Sequence, residues 1–571
     1  MDFDKPESRG LEPVPTDFSP VLKTLDGLPG REIVNRILES ENPTAVVHGL
    51  PPQDFFWLVK QVGDDDCLPV LQLASTDQWR YLLDMELWLK DRMDVAKSSL
   101  WLGRLEQADR KRLVKWLFSD GQALAYFHLF HITEVIVIEN QEELLDLPDG
   151  FFSLDEIFYI RVLDPDHRET VERMLREMAD ESLERYQALL LGLSGVLPAE
   201  MEEQMYRVRN VRLAEQGFLP YDEALSVYAP LDPEDLQVEN GDENKTVLLT
   251  EESRLMAPAS PLAHAGTRNL LTDVVSRISH PLFLDRIRLE FAGLCNQIFS
   301  AEGTPAPELA ILVKISNRAA GYVNLAIERL CGHDIAAAER LLRRHSLVTL
   351  FRVGVGIPLK LGWEAERWVR GSWFMGQGRD TDFWGEAWGG TLLGLLQKRP
   401  RLHTRMDEDE PFKDFEWLSE VGACLTTLRR LMVLDGLLEQ LASRFRIDVR
   451  TAGSSEIAFH QLLFNLWARL SLDMAPSFSG ISIARAQRLF ARIRGERAEP
   501  PYGMPGVEKQ FVDLFLSYAA ASDAEATAVL KETLELLWGE FVVEYERISL
   551  DDLSEKFSLY ITIETTDSEN D

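Results

Sequence analysis

Apolar residues recur at helical spacing over the first part of the chain, and the stripes open alike. Ile33, Val34, Ile37 and Leu38 make one stripe, and Phe55, Phe56, Leu58, Val59 and Val62 make another. Each stripe follows a leucine, a turn rich in Pro, Gly or small residues, and an acid. The openings are Leu28-Pro-Gly-Arg-Glu-Ile-Val, Leu50-Pro-Pro-Gln-Asp-Phe-Phe, Leu73-Ala-Ser-Thr-Asp-Gln-Trp and, more loosely, Leu105-Glu-Gln-Ala-Asp-Arg-Lys-Arg-Leu-Val. Their leading leucines, at 28, 50, 73 and 105, fall 22, 23 and 32 residues apart, a spacing of short helical repeats with one insertion. Pro29 and Pro51 sit where a helix begins and its first amides lack partners. A lone helix of this kind leaves its apolar face in water, so the pattern predicts short helices stacked in succession over residues 28–118.

The period then changes. Thr133-Glu-Val-Ile-Val-Ile and Glu156-Ile-Phe-Tyr-Ile-Arg-Val-Leu are β-branched and aromatic runs on either side of Leu147-Pro-Asp-Gly150, which predicts a small β-hairpin near 133–163 inserted among helices. Helical spacing resumes from Arg168 to Leu193 and from Met201 to Tyr228, where Leu219-Pro-Tyr-Asp-Glu-Ala-Leu echoes the opening at Leu50.

The expected layout is a mainly α protein: an extended, proline-bearing tail over residues 1–20, then a helical-repeat, solenoid-like region over 21–230 carrying the β insertion. An acidic linker follows over 231–268, with a short strand expected at Thr246-Val-Leu-Leu. Beyond it lie a second all-helical region rich in Arg, Trp and Gly over 269–400 and a C-terminal helical region over 401–571. The latter ends in an alternating strand, Phe557-Ser-Leu-Tyr-Ile-Thr-Ile-Glu, before a polar terminus.

Composition narrows the function classes. With 571 residues, 45% of them hydrophobic, the chain buries large cores. A formal charge of −34 disfavours a general nucleic-acid surface, because phosphates are repelled before contact. Cys67, Cys295, Cys331 and Cys424 form no CxxC pair, which fits a reducing setting better than a zinc ribbon or a disulfide framework. The start, Met1-Asp-Phe-Asp-Lys-Pro-Glu, lacks the basic and apolar stretches of a signal peptide, and the most apolar run, Ala123 to Ile138, is broken by His128, His131, Thr133 and Glu134. No membrane insertion and a cytoplasmic location are therefore expected.

The segment Leu28 to Phe118 resembles the cytosolic N-terminal domain of MgtE-type magnesium transporters, on the strength of Leu50-Pro-Pro-Gln-Asp and the related openings. That resemblance implies a right-handed solenoid of short helices; nothing resembles that family's transmembrane domain, so transport is not implied. The whole chain, with its Leu213-Ala-Glu-Gln-Gly-Phe-Leu-Pro-Tyr-Asp-Glu-Ala-Leu and Trp363-Glu-Ala-Glu-Arg-Trp blocks, looks like members of a bacterial family of unassigned function, which supplies no catalytic residues.

Candidate chemistry is sparse. His128, His131 and Glu134 stand at i, i+3 and i+6, a spacing that reaches a metal only if one helix carries all three. The strand pattern beginning at Thr133 and the aromatic surroundings favour a buried pair of histidines instead, and no cofactor is implied. Acid runs at Asp64–Asp66 and Asp407–Glu410 lack the spacing of a calcium loop. Between Arg340 and Arg379 eight cations (Arg340, Arg343, Arg344, Arg352, Lys360, Arg367, Arg370 and Arg379) face only Glu364 and Glu366, with Trp363, Trp368, Trp373, Trp384 and Trp388 interleaved or following. Guanidinium forks bind carboxylates and phosphates, and aromatic faces stack on planar ligands. Arg352, Arg367, Trp368, Arg370, Trp373 and Arg379 are thus the candidate ligand-binding residues, against the alternative that these tryptophans fill a core and the arginines pair with protein acids.

No phosphate-binding loop, Gly-x-Ser-x-Gly elbow or His-Glu-x-x-His is present. The favoured function is a non-enzymatic, cytoplasmic helical-repeat scaffold or regulatory protein that binds a protein partner. The alternative is an enzyme or small-ligand sensor with an anion-accepting pocket in the Arg340 to Trp388 region.

Overall fold

The computed structural model describes residues 28–89, 91–138, 148–195, 197–237, 257–265, 268–303, 308–404, 410–447, 457–495, 499–519 and 523–564. The expected tail, the expected strand at Thr246, most of the acidic linker and residues 407–409 of the second acid run lie outside them. The protein is mostly α-helical with a minor β component, in two compact units, Met1–Val353 and Gly354–Asp571. The division falls inside the 269–400 segment that the sequence pattern treats as one region. No helix of the described residues is long and apolar enough to cross a membrane.

In the first unit the leucine-turn-acid openings are helix starts. Five short helices follow one another: α1 Gly30–Leu38, α2 Pro43–His48, α3 Pro52–Val62, α4 Leu68–Leu73 and α5 Thr76–Glu86. Pro29 and Pro51 cap α1 and α3 with extended ψ, while Ser75 and Gln78 exchange side-chain and backbone bonds as a capping box at the start of α5. The stack is interleaved. Helix α3 packs on α1 and α5, α2 packs on α4, and α4 packs on α6, Val95–Leu117. The fourth opening lies within α6, where Asp109 leaves helical geometry (φ −159, ψ 90) and its carboxylate accepts the Arg112 N–H at 3.0 Å, capping the second half. Buried Gln78 ties two turns together by donating to the carbonyls of Val47 (2.7 Å) and Leu50 (2.8 Å).

Helix α7, Gln122–Ile132, is apolar nearly all round and ends where the β-branched run starts. Strand β3, Thr133–Val137, pairs antiparallel with β5, Phe158–Val162, so Thr133 faces Val162 and Val137 faces Phe158. A short β4, Phe152–Ser153, joins on the other edge of β5. This three-stranded sheet precedes helices α8 Arg168–Glu181, α9 Leu183–Leu193, α10 Pro198–Ala214 and α11 Tyr221–Ala224. A tight hairpin, β1 Trp88–Leu89 with β2 Arg92–Met93, lies between α5 and α6.

Both described flanks of the acidic segment are anchored on this unit. The Leu231 N–H donates to the Arg352 carbonyl at 3.3 Å. On the far side, the Asp54 carboxylate accepts the amides of Ala259 and Ser260, at 2.8 Å each, where the four-residue helix α12, Ser260–Ala263, begins. Asp54 is the acid of the Leu50 opening. Helices α13 Leu270–Arg277, α14 Pro281–Glu302, α15 Leu309–Cys331 and α16 Ile335–Arg344 follow.

Helix α17, Leu347–Gly371, leads into the second unit, which contains α18 Trp373–Gly376, α19 Gly385–Leu395, α20 Leu418–Phe445, α21 Phe459–Ser471, α22 Ile483–Ile493, α23 Val507–Tyr518 and α24 Ala524–Tyr545. Its core centres on Phe464, whose ring stacks on Phe511 and Phe541 with centroids 4.9 and 4.7 Å away. The strand expected over Phe557–Glu564 is shorter than its alternation: only Ile563–Glu564 pairs, in parallel with Ile481–Ser482. Ladder length is set by the partner, and Ile481–Ser482 offers two residues. Buried Asn465 fixes the approach, accepting the Thr562 N–H at 2.8 Å and donating to the Phe478 carbonyl at 2.9 Å.

Candidate functional site

A cavity of about 630 Å³ lies in the first unit, within the ~300–1,000 Å³ of ligand pockets. Met85 of α5 and four further segments build it. Trp88 and Asp91 come from the β1–β2 hairpin; Tyr206, Arg209, Asn210 and Leu213 share one face of α10 at i, i+3, i+4 and i+7; Phe218 to Tyr221 form the turn after α10; Phe299, Ser300 and Glu302 come from the end of α14.

The turn has a local cause. Gly217 sits at φ +87, and a Cβ there would lie 2.8 Å from the Cα of Gly293 in α14, so a glycine is needed both for the conformation and for the approach. The chain then reverses, the Leu219 N–H donates to Ser300 Oγ at 3.3 Å, and Pro220 caps α11. The hairpin is held to α10 by the Met93 N–H, which donates to Glu202 Oε1 at 2.6 Å.

Electrostatically the site turns on two arginines and one carboxylate. Arg212 grips Asp84 with both arms, Nε to Oδ2 at 2.8 Å and Nη2 to Oδ1 at 2.6 Å. Arg209 takes only the Asp84 main-chain carbonyl, at 2.6 Å from Nε, one of the last-turn carbonyls of α5 that lack helical partners. Its Nη1 donates to Asn210 Oδ1 at 3.2 Å, and no described residue accepts from Nη2. The guanidinium lies 5.5 Å from the Trp88 ring centre. Burial pushes the Asp84 carboxyl up against the opposing pull of Arg212, Arg209 and Arg80, and burial pushes Arg209 down against the pull of Asp84.

The rings stand as two pairs, Trp88–Tyr206 with centroids 5.6 Å apart and Phe218–Phe299 with centroids 6.2 Å apart. Of the lining acids, Glu302 is already engaged, accepting from Arg318 at 2.6 Å and from the Tyr228 hydroxyl at 2.8 Å. A smaller cavity of about 240 Å³ opens on the other side of Trp88, against Asp84, Arg212 and Trp116.

The residues singled out from sequence lie elsewhere. Arg352 belongs to the first unit, where its Nε donates to the Ala229 carbonyl at 2.8 Å. Arg367, Trp368, Arg370, Trp373 and Arg379 belong to the second. Arg370 pairs with Glu366 one turn earlier, and Arg343, of the wider cationic run, pairs with Glu339 at 2.7 Å. Trp368 packs against Phe374 and the sealed Trp384, with centroids 5.6 and 6.3 Å away. The Trp373 and Phe374 amides are held by the buried Asp435 carboxylate, at 2.9 Å each, and the Arg379 N–H donates to the Phe374 carbonyl at 3.1 Å. None of the six lines either cavity beside Trp88.

His128 and His131 lie on α7 and Glu134 on β3, where it pairs with Arg161 across the sheet. His131 Nδ1 meets the Phe127 carbonyl at 2.8 Å. His128 is buried, and desolvation, helped by His167 and His131, pushes its imidazole down to about 3. Among the described residues no three His, Cys, Asp or Glu side chains converge as a metal requires.

Of the cavity, the sequence singled out one wall, Phe218 to Tyr221, within the Leu213–Leu225 block. Arg209 and Trp88 carry no local signal. Residues 14–564 match a family of unknown function, DUF6178, and the chain belongs to that family. No match was found among curated proteins or among solved structures.

Proposed function

We propose that this is a non-catalytic binding protein whose first unit holds a small organic molecule in the cavity beside Trp88. One observation carries the proposal: a concave space of about 630 Å³ is walled by aromatic rings and reached by a guanidinium whose Nη2 has no acceptor among the described residues. This moves the small-ligand alternative from Arg340–Trp388 to α10. The test is native mass spectrometry of the full chain purified from its own host. A co-purifying small molecule should be present in the parent and lost in Asn210→Trp, which places an indole in the cavity. The same bound mass in both proteins sinks the proposal.

A second observation favours the scaffold or regulatory role, with a protein as partner. Leu183 and Leu191 on α9, and Val208 and Val211 on α10, are large apolar side chains left 48, 61, 47 and 66% exposed. A Val208→Glu, Val211→Glu double variant that keeps its fold should lose such a partner. The likeness to the MgtE-type solenoid and the cytoplasmic setting rest on the openings and the cysteine spacing, and belong to this same proposal.

A further inference from the structure

We propose that the occupant of the cavity beside Trp88 is an aromatic or heteroaromatic monocarboxylate, its rings between the aromatic walls and its acid group on Arg209. The inference rests on the binding role proposed above and adds the ligand's chemistry.

Charge comes first. Arg209 and Arg212 converge on Asp84, and Arg212 occupies both carboxylate oxygens, so Arg209 is left with a neutral carbonyl and a neutral amide oxygen. Arg209 shares the Asp84 charge with Arg212, which holds both carboxylate oxygens, and a bound carboxylate gives it a directly hydrogen-bonded counter-ion through the Nη2 edge. Asn210, beside it on the same face, uses Oδ1 for Arg209 and keeps its amide hydrogens for a second oxygen.

The same residues set the charge at one. Arg209 is the only cation lining the cavity among the described residues, and the acids Asp91 and Glu302 line it too. A dianionic phosphate asks for more donors than one guanidinium supplies and meets repulsion from these acids. The body of the ligand is set by the walls. Trp88, Tyr206, Phe218, Tyr221 and Phe299 present five rings, and flat faces are what such walls bind best.

The probes are 2-naphthoate, its neutral counterpart 2-naphthalenemethanol, 2-naphthylmethylamine and 2-naphthyl phosphate, titrated calorimetrically into the full chain. Naphthoate should bind one to one, at least tenfold tighter than the alcohol, with the amine weakest. Arg209→Gln should reduce naphthoate affinity at least tenfold and leave the alcohol unchanged, which shows the cavity intact, while Arg209→Lys should recover part of the loss. If Arg209→Gln fails to fold, Asn210→Asp, which keeps the shape and sets a negative charge beside Arg209, should reject naphthoate and still take the alcohol. Equal binding of acid and alcohol overturns the acid-group assignment while leaving the binding role standing. Tighter binding of the phosphate overturns the monocarboxylate. No binding of any of the four overturns this assignment, and the binding role falls separately if mass spectrometry finds no cavity-dependent ligand.

Discussion

Replacing His128 with leucine should remove an acid-induced weakening of the first unit. His128 is 2% exposed on α7, and its Nδ1 has no hydrogen-bond partner, so the ring is folded in its neutral form. Its folded value, about 3, lies below the ordinary 6.5, so the unfolded chain takes up the proton first. The stabilising contribution is therefore complete above about pH 6.5 and is lost progressively as the pH falls toward 3. At pH 5 the gap amounts to about 2 kcal/mol. Asp54, Asp84 and Glu290 in the same unit are pushed up by burial and act with the opposite sign, so the observable is the difference between parent and variant. Hydrogen exchange of peptides covering residues 122–132 reads the opening free energy of this helix. Parent and His128→Leu should agree within about 1 kcal/mol at pH 7.5, and the parent should lose about 2 kcal/mol more at pH 5. Parallel losses in the two proteins would refute the reasoning, because the proton would then be entering elsewhere.

Two further substitutions probe the framework of the first unit. Asp54→Ala should cost roughly 2–3 kcal/mol and speed exchange of the Ala259 and Ser260 amides before the rest of the unit, since it removes two hydrogen bonds to a buried carboxylate; unchanged exchange there would show that residues 257–265 are held by other contacts. Gly217→Ala should cost about 2–4 kcal/mol, because it forces a side chain into a left-handed conformation against the Gly293 backbone; a melting shift under about 2 °C would show that the two backbones part freely.

What the sequence disclosed was local. A Pro or Ser before an acid and an apolar stripe marks a helix start whatever surrounds it, so the openings at Leu28, Leu50 and Leu73 locate α1, α3 and α5, and even the loose one at Leu105 marks the break at Asp109. The run at Thr133 was legible for the same reason: β-branched residues declare a strand within a few positions. The short ladder at Ile563–Glu564 was not, because its length depends on Ile481–Ser482, some eighty residues earlier. The cavity was hidden more deeply. It draws on positions 85–91, 206–221 and 299–303, and a single arginine on α10 differs from its neighbours only in which carbonyl it reaches. The arginine-rich run, conspicuous as composition, is divided by the unit boundary: Arg343 and Arg370 pair with acids one turn away, Arg352 reaches a main-chain carbonyl, and Trp368 packs beside Trp384 while Trp363 stays exposed. Composition counts charges without saying what each one faces.

The interleaving of α1 through α6 bears on how such a chain changes length over evolutionary time. Because α3 sits against α1 and α5, while α4 sits against α2 and α6, the helices fall into an odd row and an even row, joined where α1 meets α2 and α5 meets α6. Inserting or deleting one helix transposes every later member into the wrong row and presents each apolar stripe to the wrong neighbour. Adding or removing two restores parity. Viable relatives of this unit should accordingly differ by pairs of helices, and a lone extra helix should survive only as a bulge excluded from the stack.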